Sequence, residues 1–286
     1  MKEVKPAIGG QAVIEGVMMR GPKSTAIAVR KDNGEIVLKK DENHSISERY
    51  KFLKLPILRG VVSLIEMMII GIQTLSYSAT MAGYEEEETL TTKDIAIALA
   101  SAVLFAVVLF VILPTVAVKF ISANIKTPFL LSLAEGFLRI AIFVAYVAVI
   151  SLMKDIRRVF EYHGAEHKVV HCYEHGEDLT PENAKKYSTV HPRCGTSFIM
   201  IVMIVSILLF SILGWPGIIA RIVSRILLLP VVAGISYELI QLAGRSSSPF
   251  LKILNTPGMW LQKLTTREPD DSQLEVAIAA LKAVID

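Results

Sequence analysis

The segment Ile95–Val118 reads IAIALASAVLFAVVLFVILPTVAV, 24 residues without a charged side chain. A helix needs about 20 consecutive apolar residues to cross the hydrocarbon core of a bilayer. This stretch therefore predicts a membrane-spanning helix. The whole chain of 286 residues agrees, because 52% of its residues are hydrophobic, 20% are charged and its mean hydropathy is +0.50. Such a composition is typical of an integral membrane protein with water-facing segments.

Three further segments are apolar and long enough to be spans: residues 129–153, 198–220 and 222–243. The first of them contains Glu135 and Arg139, whose i,i+4 spacing allows a mutual ion pair. A fifth stretch, residues 57–84, carries Arg59 and Glu66 and keeps only a minimal uncharged length. An interfacial or re-entrant helix is expected there rather than a fifth crossing. The predicted fold is a mainly α-helical polytopic membrane protein with about four transmembrane helices.

The distribution of lysine and arginine predicts how these segments are oriented. If the chain crosses four times, 25 of these residues fall on one side and four on the other, with Arg139 inside a span. Since basic loops stay in the cytoplasm, both termini are predicted to be cytoplasmic. The predicted segments are a cytoplasmic N-terminal region (1–56), the interfacial or re-entrant helix (57–84), transmembrane helices 1 and 2 (95–153), a cytoplasmic His/Cys-rich loop (154–197), transmembrane helices 3 and 4 (198–243) and a cytoplasmic tail with an amphipathic helix (244–286). The bilayer is the expected partner, whereas a net charge of +3 is too small to indicate nucleic acid.

The N-terminal region predicts a small β structure. Residues 24–40 alternate partly between apolar and polar side chains, and Asn33-Gly34 is typical of a hairpin turn. Before this hairpin, residues 9–22 read GGQAVIEGVMMRGP. Glycine at that density indicates unusual backbone angles or close backbone approach. A tight β-turn region without a functional role is the alternative.

The loop 154–197 concentrates residues that can bind a metal. Five of the six histidines and both cysteines fall there: His163, His167, His171, Cys172, His175, His191 and Cys194. On a helix, each step of four residues turns about 40° beyond a full circle. His163, His167 and His171 therefore share one face of a helix that Gly176 is suited to end. Because the loop is predicted to be cytoplasmic, its cysteines are expected to be thiols or metal ligands, not a disulfide.

Residues 163–167 form an H-x-x-E-H sequence, the inverted order of the zincin motif. Two imidazoles at i,i+4 can reach one zinc ion, and the neighbouring Glu166 carboxylate can then serve as general base. A catalytic zinc takes a third protein ligand, for which His171 and Glu238 are the candidates. Glu238 qualifies because a carboxylate inside a membrane helix is costly and usually functional. Its alternative role is a hydrogen bond to neighbouring polar groups.

A second ligand set consists of Cys172, His175, His191 and Cys194, in C-x2-H and H-x2-C pairs. This spacing is typical of a closed, structural tetrahedral zinc. Cys172 lies about 180° around a regular helix from His163 and is poorly placed for the first site. The loop predicts one catalytic and one structural zinc, or one metal that shares ligands from both sets. The alternative without a metal is a group of surface or core histidines.

Three stretches resemble the YqhQ-like family of bacterial integral membrane proteins. They are GGQAVIEGVMMR at residues 9–20, YHGAEHK at 162–168 and HPRCGT at 191–196. The resemblance extends over nearly the whole chain. It implies a bacterial inner (cell) membrane protein and a metal-dependent enzyme, with no substrate specified.

Two functions from different classes follow. The first is a membrane-embedded hydrolase, such as a peptidase, that depends on zinc or a similar divalent metal and acts on a membrane-associated substrate. The second is a non-enzymatic transporter or assembly factor whose loop is shaped by a structural zinc. An open site with three protein ligands favours the first function, and a closed site with four favours the second.

Overall fold

A computed structural model describes residues 6, 8–43, 45–83, 92–121, 127–214, 217–245 and 248–285. The chain is mainly helical, with one antiparallel sheet in the order β1-β2-β3-β4. The strands are β1 (Gly9–Val13), β2 (Gly16–Arg20), β3 (Ser24–Arg30) and β4 (Ile36–Glu42). The helices are α1 (Ile46–Arg49), α2 (Leu58–Met81), α3 (Thr92–Val107), α4 (Leu113–Ile121), α5 (Pro128–Ile150), α6 (Lys154–His175), α7 (Pro181–Ala184), α8 (Gly195–Ile212), α9 (Ile218–Leu227), α10 (Leu229–Arg245), α11 (Pro249–Thr265) and α12 (Asp271–Ile285).

The N-terminal β structure consists of two successive hairpins. The predicted hairpin is confirmed as β3 and β4, and Gly34 in its turn has a φ of +85°. The glycine-rich stretch before it forms β1 and β2, which pair from Val13 and Gly16 outward. Glu15 in the two-residue turn between them has a φ of +49°. Its carboxylate binds the guanidinium of Arg158 on α6 and accepts a hydrogen bond from Tyr162 at 3.2 Å. This turn therefore fixes the hairpin to α6.

Both faces of the two central strands, β2 and β3, are buried. Because successive side chains point to opposite faces of a strand, Met19 and Ala28 pack against α6 and α12. Met18 and Val29 face the other way, against α2. We call the unit formed by β1–β4, α6, α7 and α12 the histidine domain. It assembles segments from the beginning, the middle and the end of the chain.

Four helices are long and apolar enough to cross a membrane: Leu58–Met81, Ala96–Phe120, Pro128–Ile150 and Gly195–Ile212. The pair α9 and α10 is a further candidate, bent by 47° at the break between its two helices. The prediction of one continuous span over residues 222–243 is therefore corrected. Pro230 explains the break, because its nitrogen cannot donate a hydrogen bond and its ring clashes with the carbonyl of residue 226.

Two other interruptions have local causes. A π-helical turn, Val108–Ile112, joins α3 to α4. Pro114 lies two residues after this turn, and the wider turn accommodates the hydrogen bond that proline cannot make to the carbonyl of Phe110. Helix α8 ends at Ile212, shortly before Gly214 with its φ of +78°. The predicted span 198–220 therefore ends early at this glycine, as its sequence indicated.

Candidate metal centre

Helix α6 carries the histidines on one side and a hydrophobic core on the other. It ends as predicted at Gly176, which has a left-handed φ of +79°. Tyr162 and Val169 are fully buried between α6, the sheet and α12. On the other side of α6, Gly164 allows the segment after α11 to approach closely, since a β-carbon at Gly164 would lie 2.0 Å from the carbonyl oxygen of Arg267. The packing thus holds the histidine face against the segment that follows α11.

Among the described residues, one group that could hold a metal consists of His163, His167 and Cys194. One ligand atom from each lies within 4.8 Å of the other two. The Nε2 atom of His163 is 3.3 Å from Sγ of Cys194. Nitrogen and sulfur ligands of a tetrahedral zinc are about 3.5 Å apart, given their usual bond lengths. The group therefore has the spacing of metal ligands and takes members from both predicted sets.

Backbone carbonyls orient both imidazoles of this group. Nδ1 of His163 is 2.8 Å from the carbonyl oxygen of Thr265, and Nδ1 of His167 is 2.5 Å from that of Thr189. A carbonyl oxygen only accepts, so each Nδ1 carries a proton, and in the neutral imidazole each Nε2 then presents a lone pair. Metal-binding histidines characteristically show this arrangement.

The lone pair of His167 is the clearest sign of a cation-binding site. Its Nε2 atom is buried without a hydrogen-bond partner among the described residues. The nearest charged atom is Oε2 of Glu166, at 3.3 Å. With the proton on Nδ1, both of these atoms are acceptors, and two buried acceptors so close are unfavourable unless a cation lies beside them. The residues present therefore fit a divalent metal.

Cys194 is the cap at the N-terminus of α8, where Thr196 donates its backbone N–H to Sγ at 3.4 Å. The positive end of the helix dipole favours a negatively charged ligand at this position. Gln262 of α11 holds the preceding turn, because it bonds both the N–H and the carbonyl of His191, at 2.8 and 3.0 Å. Both cysteines are buried, and they form no disulfide with each other.

A second group contains His171, Glu174 and His191. Its hydrogen bonds are satisfied within the protein. Nε2 of His171 is 3.0 Å from the carbonyl of Val190, while Nδ1 of His191 accepts from the N–H of Arg193 at 3.3 Å. Burial lowers the pKa of His171 and of His191 below the ordinary value, so both are neutral at pH 7. We interpret this group as a hydrogen-bonded support beside the first.

The four residues predicted as a structural zinc site are not brought together. Cys172 is fully buried in the hydrophobic core, on the side of α6 away from the histidines. His175 is exposed, and its Nδ1 lies 2.8 Å from the carbonyl of His171. Only His191 and Cys194 remain near the metal group. The separation follows from the 180° between Cys172 and the histidine face of a regular helix.

Glu238, a predicted third ligand, lies on α10 and is absent from both groups. Its carboxylate binds Arg59 of α2, so it joins two apolar helices. Glu174 was missed by the sequence analysis, although its position three residues after His171 places both on one helix face. The carbonyls of Thr189 and Thr265 have no signal in the sequence, because any residue supplies a carbonyl.

A cavity of about 420 Å³ opens beside the metal group. The residues around it include Gly10, Arg20, Glu166, His167, Arg193 and Cys194. Gly10 permits close approach of the hairpin, since a β-carbon there would lie 2.8 Å from Cγ of Glu166. The glycine-rich hairpin therefore forms one wall of the cavity, with the histidine helix opposite.

Comparisons with known proteins give a consistent assignment. A family described as "Protein of unknown function (DUF1385)" matches residues 55–286. A Bacillus subtilis (strain 168) protein described as "Uncharacterized protein YqhQ" is 36% identical over 301 residues, which cover 99% of this chain and 93% of that protein. No solved structure matches the chain. The resemblance seen in the sequence is thus confirmed, and the chain belongs to the YqhQ-like family.

Proposed function

We propose that this protein is a membrane-embedded, metal-dependent hydrolase whose zinc, or similar divalent metal, is held by His163, His167 and Cys194. The observation that carries the proposal is the pair of buried acceptors, Nε2 of His167 and Oε2 of Glu166, 3.3 Å apart. Three protein ligands leave a fourth position open, as in catalytic rather than structural zinc sites. The adjoining cavity supplies room for a substrate.

Glu166 is the proposed general base. It is 5% exposed and borders the cavity, so it can accept the proton of an attacking water without competition from bulk solvent. A divalent metal in this site would polarise the substrate oxygen and make the water more acidic. Thr265 and Thr189 keep both imidazoles in the tautomer that binds the metal through Nε2.

The cavity favours a substrate with an anionic group. Nη1 of Arg20 is 2.8 Å from Sδ of Met67, a thioether that is a weak acceptor for a cation. Arg193, which also pairs with the Glu174 carboxylate, brings a second guanidinium to the same cavity. Guanidinium groups bind carboxylates and phosphates through paired hydrogen bonds. We therefore propose an anionic substrate group beside Arg20.

The packing also supports four crossings of a membrane. The histidine domain lies on one side, so the chain must cross an even number of times between its parts. Helices α3–α4 and α5 supply two crossings before α6, and α8 with the α9–α10 pair supply two after it. A third crossing by α2 would place the N-terminal sheet on the wrong side. We propose that α2 returns to the side from which it enters, as an interfacial or re-entrant helix, with the domain and both termini in the bacterial cytoplasm.

Contacts of α2 agree with this placement. Tyr77 packs on the sheet, whereas Gly60 fits closely against Tyr237 of α10. Ser45, before the helix, donates to Glu66 at 2.9 Å. The segment before α2 thus lies beside the helix, which supports an interfacial or re-entrant course for α2.

The test is metal analysis combined with turnover. Protein never exposed to chelator should contain about one metal ion per chain, and His167→Ala should lose it. Glu166→Gln should keep the metal, while chelator-sensitive hydrolysis of phosphoester or peptide probes falls by about 10²–10⁴-fold. Wild-type protein with well under one metal per chain would refute the proposal.

The second candidate is a structural metal in a transporter or assembly factor. The nearness of Oε2 of Glu166 to His167 favours it, because that carboxylate could close the site as a fourth ligand. In that case Glu166→Gln would lose both metal and thermal stability. The same variant therefore separates the two functions.

A further inference from the structure

A second buried charged cluster lies among the apolar helices. Glu135 of α5 is 1% exposed and accepts hydrogen bonds from Thr115 at 3.0 Å, Arg139 at 3.0 Å and Arg225 at 2.8 Å. Arg221 lies 3.9 Å from the same carboxylate. The predicted pair of Glu135 and Arg139 is thus confirmed as part of a larger group. We call these three arginines and Glu135 the arginine cluster.

The arginine cluster is far from the metal centre. Glu135 lies 15 residues before the end of α5 at Ile150, which is about 22 Å along a helix. Phe210, whose ring lies 5.1 Å from the guanidinium of Arg225, is 16 residues beyond Cys194 on α8, or about 24 Å. The cluster therefore occupies the opposite end of the helices that connect to the histidine domain.

The charges in the cluster do not balance. Arg139 and Arg225 both bond the one carboxylate of Glu135, so these three side chains alone carry a net charge of +1. Arg225 is 5% exposed. Arginine does not lose its proton in proteins, and a buried charge without a counter-charge is strongly destabilising. An anion beside these residues would remove that cost.

Several hydrogen-bond donors in the cluster point to the same conclusion. The Nε atoms of Arg139 and Arg225 are buried without a hydrogen-bond partner among the described residues. Oγ of Ser132, which is 3% exposed, has none there either. Ser132 precedes Glu135 and Arg139 by three and seven residues and so shares their helix face. Guanidinium and hydroxyl donors together suit the oxygen atoms of a phosphate group.

Helix α9 directs two of these arginines toward the interior of the protein. Arg221 and Arg225 are spaced i,i+4 on its buried face, while Ile219 is 75% exposed and Leu227 is 71% exposed on the other. A membrane would cover that apolar face. Arginines directed into a membrane bundle usually mark a functional site.

We propose that the arginine cluster binds a phosphate group, carried by a phospholipid headgroup or present as inorganic phosphate. The site is separate from the metal centre, and the inference does not depend on the proposed hydrolase activity. Glu135 holds the guanidiniums in place, and the phosphate supplies the remaining negative charge.

The experiment uses the full chain purified in a neutral detergent. Phosphorus is measured first, because lipid that co-purifies would occupy the site. After delipidation, thermal unfolding is followed with added inorganic phosphate at constant ionic strength, and in nanodiscs of phosphatidylcholine with or without phosphatidylglycerol. A rise of the Tm with inorganic phosphate identifies a soluble ligand. A rise with phosphatidylglycerol alone identifies a headgroup.

Variants locate the effect. Arg225→Gln should weaken phosphate binding by about tenfold or more, through the loss of charged hydrogen bonds. Arg225→Lys keeps the charge without the planar fork and should bind with intermediate affinity. It therefore also tests the site if the glutamine variant does not fold. Arg157→Gln is the matched control, because that side chain is 65% exposed. His167→Ala excludes binding at the metal centre and should respond like wild type.

Two results would overturn the proposal. One is protein that contains no phosphorus after purification and shows no change of Tm with either form of phosphate. The other is an equal response in wild type, Arg225→Gln and Arg225→Lys, which would place the binding elsewhere.

Discussion

Gly10 offers a direct test of the contact between the hairpin and the proposed base. A β-carbon at Gly10 would lie 2.7 Å from the carbonyl oxygen of Met18, 2.8 Å from Cγ of Glu166 and 3.0 Å from Sδ of Met19. At the neighbouring Gly9, a β-carbon would meet nothing within 4 Å. Gly10→Ala and Gly9→Ala therefore add the same atom to the same strand with opposite steric consequences.

The magnitude follows from these three short contacts. Forcing one extra carbon into a packed site costs about 1–3 kcal/mol, so Gly10→Ala should reduce the free energy of unfolding by that amount. Gly9→Ala should change it by less than about 0.5 kcal/mol. Glu166→Ala removes Cγ, so the cost of Gly10→Ala in that background should fall by at least about 0.5 kcal/mol, the coupling expected of residues in contact.

The assay is thermal or chemical unfolding of the four purified variants, with metal content measured in parallel. Metal content should stay at the wild-type level in Gly10→Ala, because glycine supplies no ligand. Equal stability of the Gly9 and Gly10 variants would refute the close approach. An unchanged cost in the Glu166→Ala background would assign it to the Met18 carbonyl and the Met19 sulfur, and the hairpin would not contact the base.

The remaining predictions concern metal, thiols and topology. His167→Ala should abolish metal binding, whereas His175→Ala, a change at an exposed histidine outside both groups, should leave metal content unchanged in elemental analysis. Cys194→Ser should lose metal; Cys172→Ser should keep it but lower the free energy of unfolding by about 1–3 kcal/mol, because a hydroxyl replaces a buried thiol. Glu182→Cys should react with a membrane-impermeant maleimide only after cells are opened, and labelling of intact cells would contradict a cytoplasmic histidine domain.

The features that the sequence predicted well depend on neighbouring residues. Asn33-Gly34 determines the β3–β4 turn, and Gly176 ends α6, because each position requires a backbone angle that glycine adopts readily. The i,i+4 spacing likewise places His163 and His167 on one face without any tertiary contact. Local rules of this kind operate before the chain folds.

The composition of the metal group could not be predicted in the same way. Cys194 reaches His163 only because residues 177–193 fold back along α6, held by the bond from His167 to the Thr189 carbonyl and by Gln262. Spacing alone paired Cys194 with Cys172, whose sulfur instead fills the hydrophobic core. Which ligands share a metal is thus decided by tertiary hydrogen bonds rather than by sequence distance.

The origin of the three proposed ligands links the site to the membrane. His163 and His167 belong to α6, within the histidine domain, whereas Cys194 begins α8, an apolar helix of 18 residues. Helix α11 connects both parts, because it supplies the Thr265 carbonyl to His163 and the Gln262 side chain to the turn before Cys194. A rotation of α8 against α6 would therefore change the distance between sulfur and imidazole. Since α8 enters the proposed membrane directly after Cys194, an anionic group at the membrane surface could reach the cavity without leaving the bilayer interface.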